Sequence, residues 1–417
     1  MRIICDLEIH SRFARAVSKE MTIKNLETWG IKKGIDVIGT GDFTHPEWFT
    51  ELKEELEEAE PGLYKQKGSG SPIRFLLSAE VSCIYSKNGK GRRVHILLYA
   101  PSFAVAEKIN AQLGWIGNLK SDGRPIIGLD AKELAKIVLD ASPDCLVIPA
   151  HVWTPWFGLF GSMSGFDSLQ ECFDELAPSI YAIETGLSSD PPMNWRIAEL
   201  DSKSIVSFSD AHSAPNIGRE ATVFELKERS YQVIADSIRQ KSAENRIAFT
   251  IEFFPEEGMY HWDGHRNCKT RWSPRDTKQH KGICPVCGKK VTVGVMNRVE
   301  TLTQRPQGFN PGNRPPFKSL VPLAEIIGEA LGVGKLSKSV AAEYDRLVNV
   351  GKSEFNILLN IPEKELRAIT QPMVAEGVMR VRAGKLQITP GYDGTYGIIK
   401  VFSDAERAKP VGQSSLF

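Results

Sequence analysis

From Met1 to about Thr250, short apolar runs alternate with stretches of helical spacing, and this rhythm restricts the fold more than any other feature. The runs are Asp36-Val37-Ile38-Gly39-Thr40, Ile73-Arg74-Phe75-Leu76-Leu77, Val94-His95-Ile96-Leu97-Leu98 and Cys145-Leu146-Val147-Ile148-Pro149. Between them Thr22 to Lys33, Trp48 to Ala59, Ala131 to Asp140 and Gln232 to Lys241 carry helical periodicity, the third opened by the capping residue Asp130. Parallel strands joined by helices are buried on both faces and present their chemistry at the strands' carboxyl ends. An α/β fold with its functional residues just after the apolar runs is therefore expected.

At 417 residues the chain exceeds one hydrophobic core, and two or three domains are expected. Hydrophobic residues at 41%, with Lys+Arg 52 balanced by Asp+Glu 51, exclude wholesale disorder. No apolar run approaches the roughly 18 residues of a spanning helix, and Met-Arg-Ile-Ile-Cys reads as a strand, so a cytoplasmic protein with no membrane partner is expected. Residues 1–250 form the first domain. The character changes at Phe253-Phe254-Pro255, and 251–304 reads as a small separate module. A Pro/Gly-rich connector from Arg305 to Pro322 leads to helices at Leu323 to Gly332 and Val340 to Asn349. These place a small helical domain over 305–406, and 407–417 reads as a flexible tail.

Eight histidines occur, and His10, His45, His95, His151 and His212 all fall at or after apolar runs of the first domain. Carboxylates accompany them in Asp6-Leu7-Glu8-Ile9-His10, Thr40-Gly41-Asp42, Ala79-Glu80-Val81 and Ser209-Asp210-Ala211-His212. Extended spacing puts Glu8 with His10, and Asp210 with His212, on common faces, so each pair can aim two ligands at one ion. Neutral imidazole with carboxylate suits zinc, manganese, magnesium or iron. Two or three such ions would lower the pKa of a bound water and stabilise both oxygens of an in-line displacement, which is phosphoester hydrolysis.

At these positions the chain resembles the polymerase and histidinol phosphatase (PHP) superfamily, which implies a distorted (β/α)7 barrel around a metal cluster. The resemblance implies metal ligation by Glu8, His10, Asp42, Glu80, His95, His151, Asp210 and His212, with Asp210, His212 and His151 carrying catalysis. Glu8 stands where most members have histidine. His45 is a further candidate ligand, although Asp42-Phe43-Thr44-His45 separates two residues that the family usually has adjacent.

Of seven cysteines, Cys5, Cys83, Cys145 and Cys172 stand alone and read as buried thiols. His265-Arg-Asn-Cys268 and Cys284-Pro-Val-Cys287 form two knuckles separated by 15 residues, the spacing of a zinc ribbon with one structural zinc. His265 is the expected fourth ligand, with His261 and His280 as alternatives. Between 261 and 320, twelve Lys and Arg face three Asp and Glu. Arg266, Lys269, Arg271, Lys289, Lys290, Arg298, Arg305 and Lys318 are accordingly expected to contact a DNA backbone, among stacking aromatics.

A PHP domain followed by this ribbon resembles the endonuclease Q family. The resemblance extends through Ala16-Val17-Ser18-Lys19, Pro149-Ala150-His151-Val152-Trp153-Thr154-Pro155-Trp156, Gly165-Phe166-Asp167-Ser168-Leu169, Gly264-His265-Arg266 and Pro390-Gly391-Tyr392-Asp393-Gly394. It implies cleavage of duplex DNA on the 5′ side of uracil, hypoxanthine, xanthine or an abasic site, leaving 3′-hydroxyl and 5′-phosphate, with no nucleotide cofactor. Trp153, Trp156, Phe157 and Phe160 are candidate walls for an extruded base. The last residues, Gln413-Ser414-Ser415-Leu416-Phe417, resemble peptides that dock on sliding clamps through the Gln and the Leu-Phe pair. A small-molecule phosphatase of the same superfamily, or a non-catalytic DNA-binding module, is the alternative.

Overall fold

The structure, a computed structural model, describes residues 1–407. The clamp-like residues Gln413, Leu416 and Phe417 lie outside the described residues.

The first domain contributes β1 (Arg2–Asp6), β2 (Val37–Gly39), β3 (Leu56–Glu60), β4 (Leu63–Gln66), β5 (Arg74–Leu76), β6 (Ser78–Lys87), β7 (Lys90–Tyr99), β8 (Ile126–Ile127), β9 (Leu146–Pro149), β10 (Ala182–Glu184), β11 (Ser204–Val206), β12 (Ala221–Glu225) and β13 (Arg246–Glu252). Strands β1, β2 and β5 pair in parallel, as do β10 and β11. Single hydrogen bonds continue the ring where ladders stop. Ala100 N–H donates to Leu77 O at 3.1 Å, Val152 N–H to Glu184 O at 3.1 Å, and Ser207 N–H to Thr222 Oγ1 at 3.0 Å. The circuit closes because β12 pairs antiparallel with β1. The departure from a regular barrel is the long β6–β7 hairpin, whose second strand runs antiparallel to β9. This is the expected distorted α/β barrel.

One buried apolar cluster draws side chains from every strand of the ring, including Cys5, Val37, Leu76, Leu97, Ile148, Ala182, Val206 and Phe224. A set with that membership can only fill the lumen, so the barrel is a packed core with its chemistry confined to one rim. The four solitary cysteines are buried and unpaired, as expected.

Helix Ile23–Lys33 starts at Thr22, whose side chain accepts from Asn25 N–H, and stops at Gly34 with φ 83°. Asp130 caps Ala131–Ala141 as expected. The helix expected over Trp48 to Ala59 ends earlier, at Pro46–Glu55, because the next residues pair as β3 with β4, Lys65 meeting Glu57 at 3.2 Å. Periodicity alone does not register that cross-strand pairing. Likewise Tyr231–Ile238 is shorter than expected.

Beyond β13, β14 (Asp263–His265) and β15 (Thr270–Trp272) form a hairpin. The connector is not free of structure, since β16 (Phe317–Ser319) adds in parallel to β13. Helices Leu323–Leu331, Lys338–Gly351, Glu354–Leu359, Glu363–Ile369 and Pro372–Arg382 make the helical C-terminal part. It is fixed to the barrel by Lys33 and Glu354, 2.7 Å apart and both buried.

Candidate metal centre

Two loops at the barrel rim run side by side. Asp6 at the end of β1 accepts from Ser209 N–H at 2.9 Å and Gly218 N–H at 2.7 Å, which draws the segment after β11 against the segment after β1. Ile9 then bridges Ala211, and His10 N–H donates to Ala211 O at 3.1 Å. This registers His10 beside Asp210 (Nε2 to Oδ1, 3.1 Å) and sets the His10 and His212 rings 4.8 Å apart.

On the other side of the rim the β6–β7 hairpin supplies a diagonal pair. Glu80 lies opposite Leu97, and His95 opposite Ser82, so Glu80 and His95 share a face, with His95 Nδ1 2.6 Å from Glu80 Oε1. His151, two residues past β9, brings Nε2 to 3.2 Å from the same oxygen. The second oxygen of Glu80 lies 3.0 Å from His10 Nε2. Glu80 therefore bridges two donor groups, Glu80–His95–His151 and His10–Asp210–His212, while Glu8 joins it with Asp210 in a third; within each group the donor atoms lie within 4.8 Å of one another.

Hydrogen bonds fix the imidazoles. Asp42 accepts from His10 Nδ1 at 3.0 Å and from Ser11 N–H and Oγ–H at 2.6 and 2.7 Å. Thr154 gives its hydroxyl proton to His151 O, so its oxygen takes the proton of His151 Nδ1 at 2.9 Å. Both rings thus turn Nε2 toward carboxylate oxygens, which overcome burial and raise the pKa of both imidazoles. That arrangement is unfavourable unless a proton or a metal cation lies between them. Both carboxylate oxygens of buried Glu8 lack a hydrogen-bond partner.

The charges respond accordingly. Burial, reinforced by Glu184, pushes the Glu8 carboxyl well up, whereas at Asp210 hydrogen bonding and attraction from His10 overcome burial and hold it at about 2. Burial takes His95 down to about 4. A buried set of imidazole nitrogens and carboxylate oxygens with unpartnered atoms fits a divalent cation.

Asp42, His151 and Asp210 have φ of 48°, 29° and 46°, a region uncommon for residues with a Cβ. Strain of roughly 1–3 kcal/mol at each is stored where side chains must be aimed. Arg219 supports one of these positions, donating from Nε to Ser209 O at 2.8 Å and from Nη2 to Asp210 O at 3.3 Å.

The second donor group is His265, Cys268, Cys284 and Cys287. Cys287 Sγ lies 3.3 Å from His265 Nδ1. The Cys284 thiol, next to Thr270 Oγ1 at 3.3 Å, is drawn down to about 6, chiefly by that hydrogen bond. The alternatives fall elsewhere: His261 is buried with Nδ1 unpartnered, and His280 stacks on Trp272 at 4.5 Å.

Residues 322–385 match the family described as the MJ0043 C-terminal domain. MJ0043, an uncharacterized protein of Methanocaldococcus jannaschii, is 34% identical over 256 residues, which cover 60% of this chain and 31% of that one. The chain thus spans less than a third of the length of that relative. YqxK, an uncharacterized protein of Bacillus subtilis, is 29% identical over 417 residues, covering 96% of this chain and 99% of its own. The crystal structure of the lesion-specific endonuclease PfuEndoQ from Pyrococcus furiosus superposes with a TM-score of 0.86 at 31% identity over 98% of each chain. Endonuclease Q in complex with a 27-mer duplex bearing an abasic lesion at its active site superposes with a TM-score of 0.85 at 30% identity, covering 100% of both chains. The chain belongs to the endonuclease Q family. By that membership it is an endonuclease.

Not every residue singled out in this endonuclease Q sequence reaches the rim. Asp42 stands behind His10 and joins none of the convergent donor groups, its oxygens being taken by His10 and Ser11. His45 is turned away. It begins helix Pro46–Glu55, accepting from Trp48 N–H at 3.4 Å, and stacks on Phe13 at 4.4 Å. Of the aromatic walls, Trp153 and Phe160 are core residues, 1% and 0% exposed, with Trp153 Nε1 donating to Asn194. Trp156 is open to solvent and meets Tyr260 edge-on at 5.7 Å, while half-buried Phe157 lies 4.4 Å from the His95 ring. The two side chains the core claims cannot wall a pocket for an extruded base.

Among the expected DNA contacts, Arg266, Lys269, Arg271, Lys289, Lys290 and Lys318 are exposed. Arg298 and Arg305 are engaged internally. Arg298 donates to Phe160 O, Phe166 O and Asp167, and Arg305 forks onto Asp201. The sequence signals missed Glu184, whose Oε2 accepts from His151 N–H at 2.6 Å, and Arg124, whose Nη1 lies 3.0 Å from Glu80 Oε2. The short run Tyr181-Ala182-Ile183 before Glu184 was the available signal for the first.

Proposed function

We propose that this chain is a metal-dependent DNA-repair endonuclease that hydrolyses the phosphodiester on the 5′ side of deaminated bases and abasic sites, leaving 3′-hydroxyl and 5′-phosphate. The observation that carries the reading is Glu80, one buried carboxylate that joins His95 and His151 through one oxygen and lies 3.0 Å from His10 of the neighbouring donor group through the other, in a chain whose whole length superposes on an endonuclease bound to abasic duplex.

Glu8, His10, Glu80, His95, His151, Asp210 and His212 are the proposed ligands, and the divalent ions they hold would acidify a water and neutralise charge on the phosphate. The protein's own part is orientation. Asp42 and Thr154 hold His10 and His151 with Nε2 forward, Glu184 fixes the His151 backbone, and Arg219 fixes that of Asp210. Asp210, His212 and His151 form the side of the centre we assign to the reacting phosphate. The His265–Cys268–Cys284–Cys287 group is proposed to hold a structural zinc, and the exposed cations around it to follow the DNA backbone. Gln413, Leu416 and Phe417 are proposed to dock on a sliding clamp.

A denaturing-gel assay tests this, using matched duplexes with uracil, hypoxanthine, xanthine, an abasic site or no lesion, with added divalent metal or chelator. The expected result is a metal-dependent nick 5′ to the lesion only. Intact duplexes together with phosphate release from a small monoester would replace the proposal with a phosphatase.

A further inference from the structure

Two loops at the rim each carry an arginine, and one carboxylate fastens them together. Asp122 Oδ1 accepts from the backbone N–H groups of Arg15 and Arg124, each at 3.2 Å, while its Oδ2 lies 3.2 Å from Arg15 Nε. Gly123 between them packs so closely on Asp42 that a Cβ would sit 2.3 Å from its Oδ2. On the far side, Pro125 O accepts from Ser82 N–H at 3.0 Å, which ties the loop to β6 two residues beyond Glu80. The Arg15 loop is held to the centre as well, since Ser11 donates to Asp42 and Ser18 N–H to His212 O at 2.9 Å.

Arg124 is thus a rigidly placed cation at the centre with most of its donors unengaged. Its Nη1 meets Glu80, and its remaining guanidinium N–H groups find no acceptor among the described residues. Three other part-buried arginines differ. Arg298, Arg314 and Arg382 are each held by two or more protein acceptors. Arg15 extends outward from the same mount, its side chain 79% exposed. A guanidinium fork facing a donor group built for phosphate chemistry matches two oxygens of a phosphodiester.

We propose that Arg124 and Arg15, mounted on Asp122, grip two phosphates of the DNA strand: Arg124 the non-bridging oxygens of the scissile one and Arg15 a neighbour. The inference rests on the reading of the centre as one that cleaves DNA. It assigns the two arginines different work. Arg124 acts where charge develops during cleavage and is a catalytic residue, whereas Arg15 contributes to binding alone.

The test compares Arg124→Ala, Arg124→Lys and Arg15→Ala with the parent protein in single-turnover nicking, DNA binding across a salt series and bound-metal content. Arg124→Ala is expected to slow cleavage by about a hundredfold or more, with binding and metal content close to the parent. Guanidinium in solution should restore part of the rate, and Arg124→Lys should remain impaired because an ammonium cannot fork. Arg15→Ala should weaken binding and lower the salt slope by about 1. Cleavage by Arg124→Ala within about threefold of the parent, or a loss that follows loss of bound metal and ignores guanidinium, overturns the inference alone. A parent protein that leaves every lesion duplex intact overturns the nuclease reading as well.

Discussion

Asp210 lies in one donor group with His10 and His212 and in another with Glu8 and Glu80. Asp210→Asn preserves the shape but removes the charge, and His212→Ala removes one imidazole. Each is expected to lower nicking by about a thousandfold or more while DNA affinity, read by fluorescence anisotropy, changes little. Unfolding of either variant, or persistent cutting, would refute the assignment. Away from the centre, burial pushes the Glu252 carboxyl from 4.5 up to about 8. A carboxyl raised on folding keeps its proton in the native state, so its contribution is complete below about pH 4.5 and disappears as the pH rises through about 8. Glu252→Gln should therefore flatten the decline in unfolding free energy across that window by up to about 1.4 kcal/mol per pH unit, measured by denaturant titration. The strand-end donors were legible because an apolar run followed at once by His or Asp is a local pattern. Arg124 and Glu184 were not, because an arginine in a Ser-Asp-Gly-Arg-Pro turn and a glutamate ending a three-residue strand look like surface residues until the fold brings Glu80 and His151 to them. Trp153 and Phe160 were misread for the related reason that an aromatic-rich loop does not announce which rings face inward.

At the scale of elements, the segment from 156 to 167 is held by distant helix Val295–Leu302, through Arg298 donating to Phe160 O and Phe166 O. Composition counts Arg298 among the cations of residues 261–320, whereas packing makes it a brace. The hairpin β14–β15 buries little apolar surface of its own, with Cys284 as its neighbour in the core. Cys284→Ser should lower the melting temperature and weaken DNA binding together, and a strong chelator should reproduce both effects in the parent protein. A variant whose melting temperature and zinc content both match the parent would exclude Cys284 as a ligand of a structural zinc. Helix existence was read correctly from spacing, but helix ends were not, since the Glu-rich stop after Glu55 depends on pairing with Lys65.

For the whole molecule, the divisions suggested by composition are crossed by buried contacts. Lys33 from the barrel reaches Glu354, which also accepts from Tyr344 Oη–H at 2.7 Å and Leu323 N–H at 2.9 Å. Lys33→Met would strand that carboxylate and is expected to destabilise the protein by about 3–5 kcal/mol, visible as a lower denaturant midpoint. A midpoint equal to that of the parent would mean that the helical part is not fastened there. The segment carrying His265 and the three clustered cysteines is also clasped from behind. Asp393, in the stretch between β17 (Gln387–Thr389) and β18 (Ile398–Lys400), accepts from Arg266 N–H at 2.7 Å and Thr292 Oγ1–H at 2.6 Å, and Tyr392 bridges Trp262. A ribosome releases residue 393 more than a hundred residues after the last cysteine of that cluster, Cys287. These thiols therefore emerge long before their clasp, and a nascent chain stalled before that clasp carries a cysteine cluster it cannot finish securing, however complete the barrel behind it.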